Sequence, residues 1–189
     1  MSKFAFAMAA AAFGALAGCG PQASTPLAQA PAEQAAITPP APIVNLTQSF
    51  LDRAAQTDTL EITISKAALT KSTNADVKAL AAMLIKDHTA TTKQLRAWSA
   101  DNAGFTLPAA LTADFQARSD NVINADAAGF DDKYLDTVID AHEAAIAAFK
   151  DYLDAGDHDS LKAWAKQTLP TLTAHFEKAS SLRDAINKV

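Results

Sequence analysis

Apolar residues return every three or four positions along four long stretches of the chain, the spacing that turns one face of an α-helix towards a core. From Val77 to Trp98 this face reads Val77, Leu80, Leu84, His88, Thr91, Leu95 and Trp98, so a histidine stands where an apolar residue is expected. The faces Leu135, Val138, His142, Ala145, Phe149, Tyr152 and Leu161, Ala165, Thr168, Leu172, His175, Ala179 repeat the feature. A fourth face, Phe50, Ala54, Thr57, Glu61, Ile64, Ala68, carries a glutamate instead. The pattern predicts long helices over 46–70, 74–100, 130–155 and from 160 to near the C-terminus. Asn102, Gly104 and Pro108 interrupt it, and a shorter helix is expected within 109–124 on the contacts of Leu111, Phe115, Val122 and Ile123.

The first two helices are separated by a few residues, with Thr73 and Asn74 as caps and Asp76 in the first turn of the second, which predicts an antiparallel hairpin. A shift of 84 residues lays Phe50-Leu51-Asp52 on Tyr134-Leu135-Asp136 and Val77-Lys78-Ala79-Leu80-Ala81 on Leu161-Lys162-Ala163-Trp164-Ala165 without a gap. The chain therefore reads as two related hairpins joined by a long connection. At about 1.5 Å of rise per residue, Glu61 and His88 lie roughly 16 and 24 Å from the first hairpin turn, and His142 and His175 roughly 22 and 27 Å from the second. All four fall near the middle of helices about 40 Å long, so one shared polar site is possible. The fold class expected is all-α, a ferritin-like four-helix bundle occupying residues 45–189.

The region before the bundle has a different character. Lys3 precedes an uncharged apolar run from Phe4 to Leu16, too short to span a bilayer comfortably, as in a targeting segment over 1–18. It ends in Leu16-Ala17-Gly18-Cys19, which resembles the lipobox of bacterial lipoproteins and implies cleavage before Cys19 and its lipidation. Gly20 follows, where aspartate often retains lipoproteins at the inner membrane, so the resemblance points to the periplasmic side of the outer membrane. Residues 19–44 hold Pro21, Pro26, Pro31, Pro39, Pro40 and Pro42 among alanine, glutamine and small polar residues, the composition of an extended tether. Membrane contact is thus expected through the lipid anchor alone.

Composition narrows the function classes. A net charge of −5 leaves no basic stripe for phosphates, so no nucleic-acid partner is expected. The single cysteine excludes an internal disulfide framework. No phosphate-binding glycine loop or nucleophile elbow is present.

Lys86-Asp87-His88, Asp140-Ala141-His142-Glu143 and Thr168-Leu169-Pro170-Thr171-Leu172-Thr173-Ala174-His175 together resemble the bacterial ferritin-like family known as domain of unknown function 4142, over about 49–186. The resemblance implies an exported four-helix bundle and brings no established reaction. Two-iron ferritin-like proteins take a glutamate from each of two helices and Glu-x-x-His from each of two others. Here Ile85 stands three residues before His88 and Leu172 three before His175, so both Glu-x-x-His carboxylates are missing at these positions.

What remains, Glu61, His88, His142 and His175, suits one divalent ion, with zinc, copper, iron and manganese all open. The competing reading is a metal-free cluster in which each histidine is hydrogen-bonded and Glu61 pairs with one of them. Asp87, Asp140 and Glu143 sit about 100° round their helices from the seam and are expected to be solvated or to support a ligand. Trp98 and Trp164 are expected to be packing residues, and His158 lies in a turn. The function expected is a non-catalytic envelope lipoprotein, possible carrier of one metal ion, with a role in envelope maintenance or stress response. The alternative is a mononuclear metalloenzyme, redox or hydrolytic, using the same cluster.

Overall fold

Asn45 starts the bundle by accepting the backbone hydrogen of Gln48 at 3.0 Å, which satisfies one of the free donors of the first turn. The computed structural model describes residues 45–187, so the targeting segment, Cys19 and the proline-rich tether lie outside the described residues. Five helices follow: α1 Leu46–Lys71, α2 Ala75–Asp101, α3 Ala113–Ile123, α4 Phe130–Ala155 and α5 Asp159–Ile186. Asn74 caps α2, accepting from the amides of Asp76 and Val77 as its side-chain type predicts. α5 runs through Pro170 without ending.

The all-α expectation and its hairpins are what the structure shows. Each helix of the first hairpin begins 84 residues before its counterpart, Leu46 against Phe130 and Ala75 against Asp159. α1 packs on α2 and α4 packs on α5, and the hairpins meet through α1 on α4 and α2 on α5. Exchanging the hairpins maps each of those cross-contacts onto itself, the signature of an approximate two-fold relation. Thr47, at the start of α1, bonds Tyr152 near the end of α4 at 2.8 Å, while Ser65, late in α1, bonds Tyr134 near the start of α4 at 2.9 Å. α1 and α4 therefore run antiparallel.

The connection between hairpins is pinned by two glutamines of α1. Gln48 donates to the Thr106 carbonyl at 2.7 Å and accepts from the Thr106 amide at 3.2 Å. Gln56 donates to the Ala110 carbonyl at 2.8 Å and accepts from the Thr112 amide at 2.9 Å. Lys71 then donates to the Ala125 carbonyl at 3.0 Å, beyond the end of α3. α3 is thus held parallel to α1 and covers the α1–α4 side of the bundle.

The apolar core is in two parts. One cluster gathers Leu60, Ile64, Val77, Leu84, Tyr134 and Val138; the other gathers Phe50, Leu95, Ala145, Phe149, Leu161 and Leu172. A layer of buried polar side chains lies along the same helices: Asp58, Glu61, His88, His142 and His175.

Gln56 is 3% exposed, and its amide is the sole recorded side-chain partner of two loop backbone groups. Gln56→Ala is expected to destabilise the protein by about 1–3 kcal/mol, the range for groups stripped of buried hydrogen-bond partners. Chemical denaturation reads the loss, and faster amide exchange at Thr112 localises it. Unchanged exchange there would mean that the loop is held otherwise.

Candidate metal centre

The seam positions bring His88 from α2, His142 from α4 and His175 from α5 to one place. Their ring centroids form a nearly equilateral triangle, with sides of 5.4 Å between His88 and His142, 5.5 Å between His88 and His175, and 5.3 Å between His142 and His175. One donor nitrogen from each ring lies within 4.8 Å of the other two. All three residues are buried, at 1%, 0% and 2% exposure respectively.

Each ring is held by a neighbour. The Nδ1 of His142 is 2.9 Å from the carbonyl of Val138, one turn earlier on α4. A carbonyl only accepts, so Nδ1 carries the hydrogen and Nε2 of the neutral ring is bare. The Nδ1 of His88 is 2.8 Å from Asp58 Oδ1, and the other oxygen of Asp58 accepts from Thr91 at 2.7 Å and Thr92 at 2.9 Å. That leaves the Nε2 of His88 buried with no hydrogen-bond partner. The Nε2 of His175 is 3.1 Å from Asp87 Oδ2, and its Nδ1 lies 3.2 Å from the bare Nε2 of His142.

Burial depresses the imidazolium of all three, with different outcomes. His142 has no carboxylate hydrogen bond to offset it, and burial, with the charge of His88, pushes its pKa down to about 3. His175 is also lowered by burial, against the opposing effect of the hydrogen bond it donates to Asp87. At His88 burial is outweighed by the hydrogen bond and charge of Asp58, helped by Glu61 and Asp87, and its pKa lies above the ordinary value.

Glu61 is fully buried, with Oε1 3.6 Å from the Nδ1 of His142, the nitrogen engaged by Val138. It is not among the groups whose donor atoms come within 4.8 Å of one another. Neither of its oxygens has a hydrogen-bond partner. Burial, only partly offset by the charges of His88 and Arg118, pushes its pKa up to about 8, so it holds a proton at neutral pH. Asp87 supports His175, whereas Asp140 and Glu143 are exposed. Asp58 has no place in the sequence-derived set, yet it orients His88. The signal that finds it is the repeat: Asp58 stands 84 residues before His142, and its partner Thr91 stands 84 before His175. One hairpin uses this pair of positions for a carboxylate and a hydroxyl, and the other for two imidazoles.

Glu61 makes the metal-free protein sensitive to pH in a defined direction. The folded protein keeps the Glu61 proton up to about pH 8, while the unfolded chain releases it near the ordinary 4.5. Between those values the folded state binds the extra proton, so this group's contribution to stability falls as pH rises. His142 acts in the opposite sense, losing stability as pH falls from 6.5 towards about 3. Comparison with Glu61→Gln cancels the histidine part. The variant is expected to gain on the wild type as pH rises from 4.5 to 8, by an amount on the order of a few kcal/mol. Denaturation midpoints of chelator-treated protein measure this, and parallel curves would show that Glu61 ionises freely in the folded state.

Solved structures of CopM share this fold. The Cu(II)-bound form has a TM-score of 0.63 at 17% identity, the Ag-bound form 0.60 at 18%, and the Cu(I)-bound form 0.62 at 19%. Each alignment covers 73% of this chain and 95% of the CopM chain. No curated protein matches the sequence. A family model matches residues 29–182, most of the chain and nearly all of the bundle, and the protein belongs to that family, the domain of unknown function DUF4142.

Proposed function

We propose that this protein is a non-catalytic metal-binding bundle of the bacterial envelope that holds one copper ion on His88, His142 and His175, with Glu61 as the adjoining carboxylate. The observation that carries the reading is the proton balance between His142 and His175. The Val138 carbonyl fixes the bare nitrogen of His142 towards His175, and Asp87 claims the hydrogen on the far nitrogen of His175. Two neutral rings so arranged oppose lone pairs at 3.2 Å. A cation between them resolves the conflict, either a second proton on His175 or a metal ion. Burial lowers the pKa of His175, which disfavours the proton. The separation also suits two nitrogens on one ion, which stand about 3.3 Å apart at bond lengths of about 2.0 Å and near-tetrahedral angles.

Copper is favoured among the divalent candidates because imidazole sites bind it most tightly in the first-row series. The Cu(II)-bound form of CopM on the same fold supports this choice. Binding rather than turnover is favoured because the cavity adjoining His88 has a volume of about 10 Å³, room for one water and no substrate. The envelope location rests on Leu16-Ala17-Gly18-Cys19.

Copper at a hundred times its dissociation constant is expected to stabilise the folded protein by about 2.7 kcal/mol. Alanine at His88, His142 or His175 is expected to weaken copper by more than about 100-fold, the upper range for loss of a mere supporting group. His158→Ala is expected to leave affinity unchanged. Competition against a chelator of known affinity measures both, with circular dichroism reporting the fold. A wild-type protein that melts identically with chelator and with added copper would refute the reading. For the anchor, Cys19→Ala is expected to yield unprocessed or soluble protein in cell fractionation, and wild-type material whose mature N-terminus lies beyond Cys19 would contradict it.

A further inference from the structure

The three imidazoles are sealed from solvent, so an ion that reaches them must cross a helix layer. α3 covers the α1–α4 side, whereas the opposite, α2–α5 side has no such cover. A surface cleft there runs between Asp87, Thr91 and Gln94 of α2 and Trp164, Gln167 and Thr168 of α5. Thr91, Trp164 and Thr168 also form the outer wall of the small cavity whose inner wall includes His88 and Asp58. One layer of three side chains therefore separates the cleft from the cavity beside His88.

The chemistry of the cleft fits a hydrated cation. A carboxylate, two amides and the hydroxyls of Thr91, Thr168 and Thr171 offer oxygen donors, and Asp87 touches both the cleft and His175. Its side chain is 30% exposed, whereas the rings behind it are buried. Trp164 closes the mouth. Its Nε1–H reaches across from α5 and donates to Gln94 Oε1 on α2 at 2.7 Å, while its ring packs against Phe149 at 5.5 Å. The cavity behind it, about 10 Å³, admits one water and excludes a hydrated ion.

We propose that the α2–α5 cleft is the port of the metal site: Asp87 receives the ion and the Trp164–Gln94 latch sets how fast it enters and leaves. This rests on the three-histidine reading above. A latch outside the coordination shell changes both rates together and leaves the equilibrium alone.

The test uses Gln94→Leu and Trp164→Phe, which each remove the hydrogen bond and keep most of the volume. Copper uptake is followed by stopped flow, release by transfer to excess chromogenic chelator, and affinity by equilibrium competition. Both variants are expected to raise the uptake and release rate constants about tenfold, the equivalent of one hydrogen bond, with Kd held within about twofold. Asp87→Asn is expected to slow uptake. Unchanged rates in both latch variants overturn the port while leaving the three-histidine site standing. Faster release with a proportional loss of affinity also overturns it, since the latch would then only support the site. Absence of copper binding by the wild type at equilibrium removes the site and the port together.

Discussion

Burial of ionisable groups in an alanine-lined core is the constraint on which the structure turns. A charged group moved from water into such a core is destabilised by several kcal/mol unless something nearby compensates it. Here the compensation differs group by group. Asp58 receives three hydrogen bonds, His142 is kept neutral by donating to its own helix, and His88 gains from Asp58 what burial removes. Glu61 is left with two unpartnered oxygens and resolves the conflict by keeping its proton. An ion within the adjoining histidine triangle would favour the charged form of Glu61, so protonation and metal binding at this layer are thermodynamically linked.

Most of the helical framework was legible in the sequence because its signals are local and strong. The 3.6-residue period, the Asn74 cap and the breaks at Gly104 and Pro108 bring the predicted bounds to within a residue or two of α1, α2, α4 and α5. Shared depth along the helices likewise anticipated that His88, His142 and His175 could meet. Asp58 was not legible by the same reasoning, because one polar residue per seam assumes one buried face per helix. α1 is packed by α2, α3 and α4 and is buried on several sides, including the consecutive run from Ala54 to Asp58. A seam drawn through Thr57 and Glu61 misses the carboxylate one residue away. Glu61 follows the seam correctly, but the direction its side chain takes relative to the imidazoles is a matter of rotamer and packing, which spacing does not encode.

The repeat explains why a site arises on one side of an approximate two-fold axis. The positions of Asp58 and Thr91 in the first hairpin correspond to those of His142 and His175 in the second, and His88 corresponds to Leu172. The members of each pair face one another, at 2.7 Å in the first hairpin and 3.2 Å in the second. The first pair is self-satisfied, since a hydroxyl supplies the proton a carboxylate accepts. The second is not, since two imidazoles facing through bare nitrogens lack a proton. The leftover valence of the second pair and the unpartnered nitrogen of His88, oriented by the first pair, point to the same small region.

The donor set also bears on the oxidation state of the ion. Soft monovalent copper and silver favour thioether and thiolate sulfur. Within the described residues the candidate sulfur is Met83, which packs against the apolar cluster of Leu60 and Leu84. Three imidazoles with carboxylates on the outer nitrogens of two of them raise ligand basicity and favour a divalent ion. If copper were held there, three nitrogen donors without sulfur would discriminate between its two oxidation states by ligand softness, and reduction would weaken the hold. Under the copper reading, such a donor set would retain Cu(II) better than Cu(I).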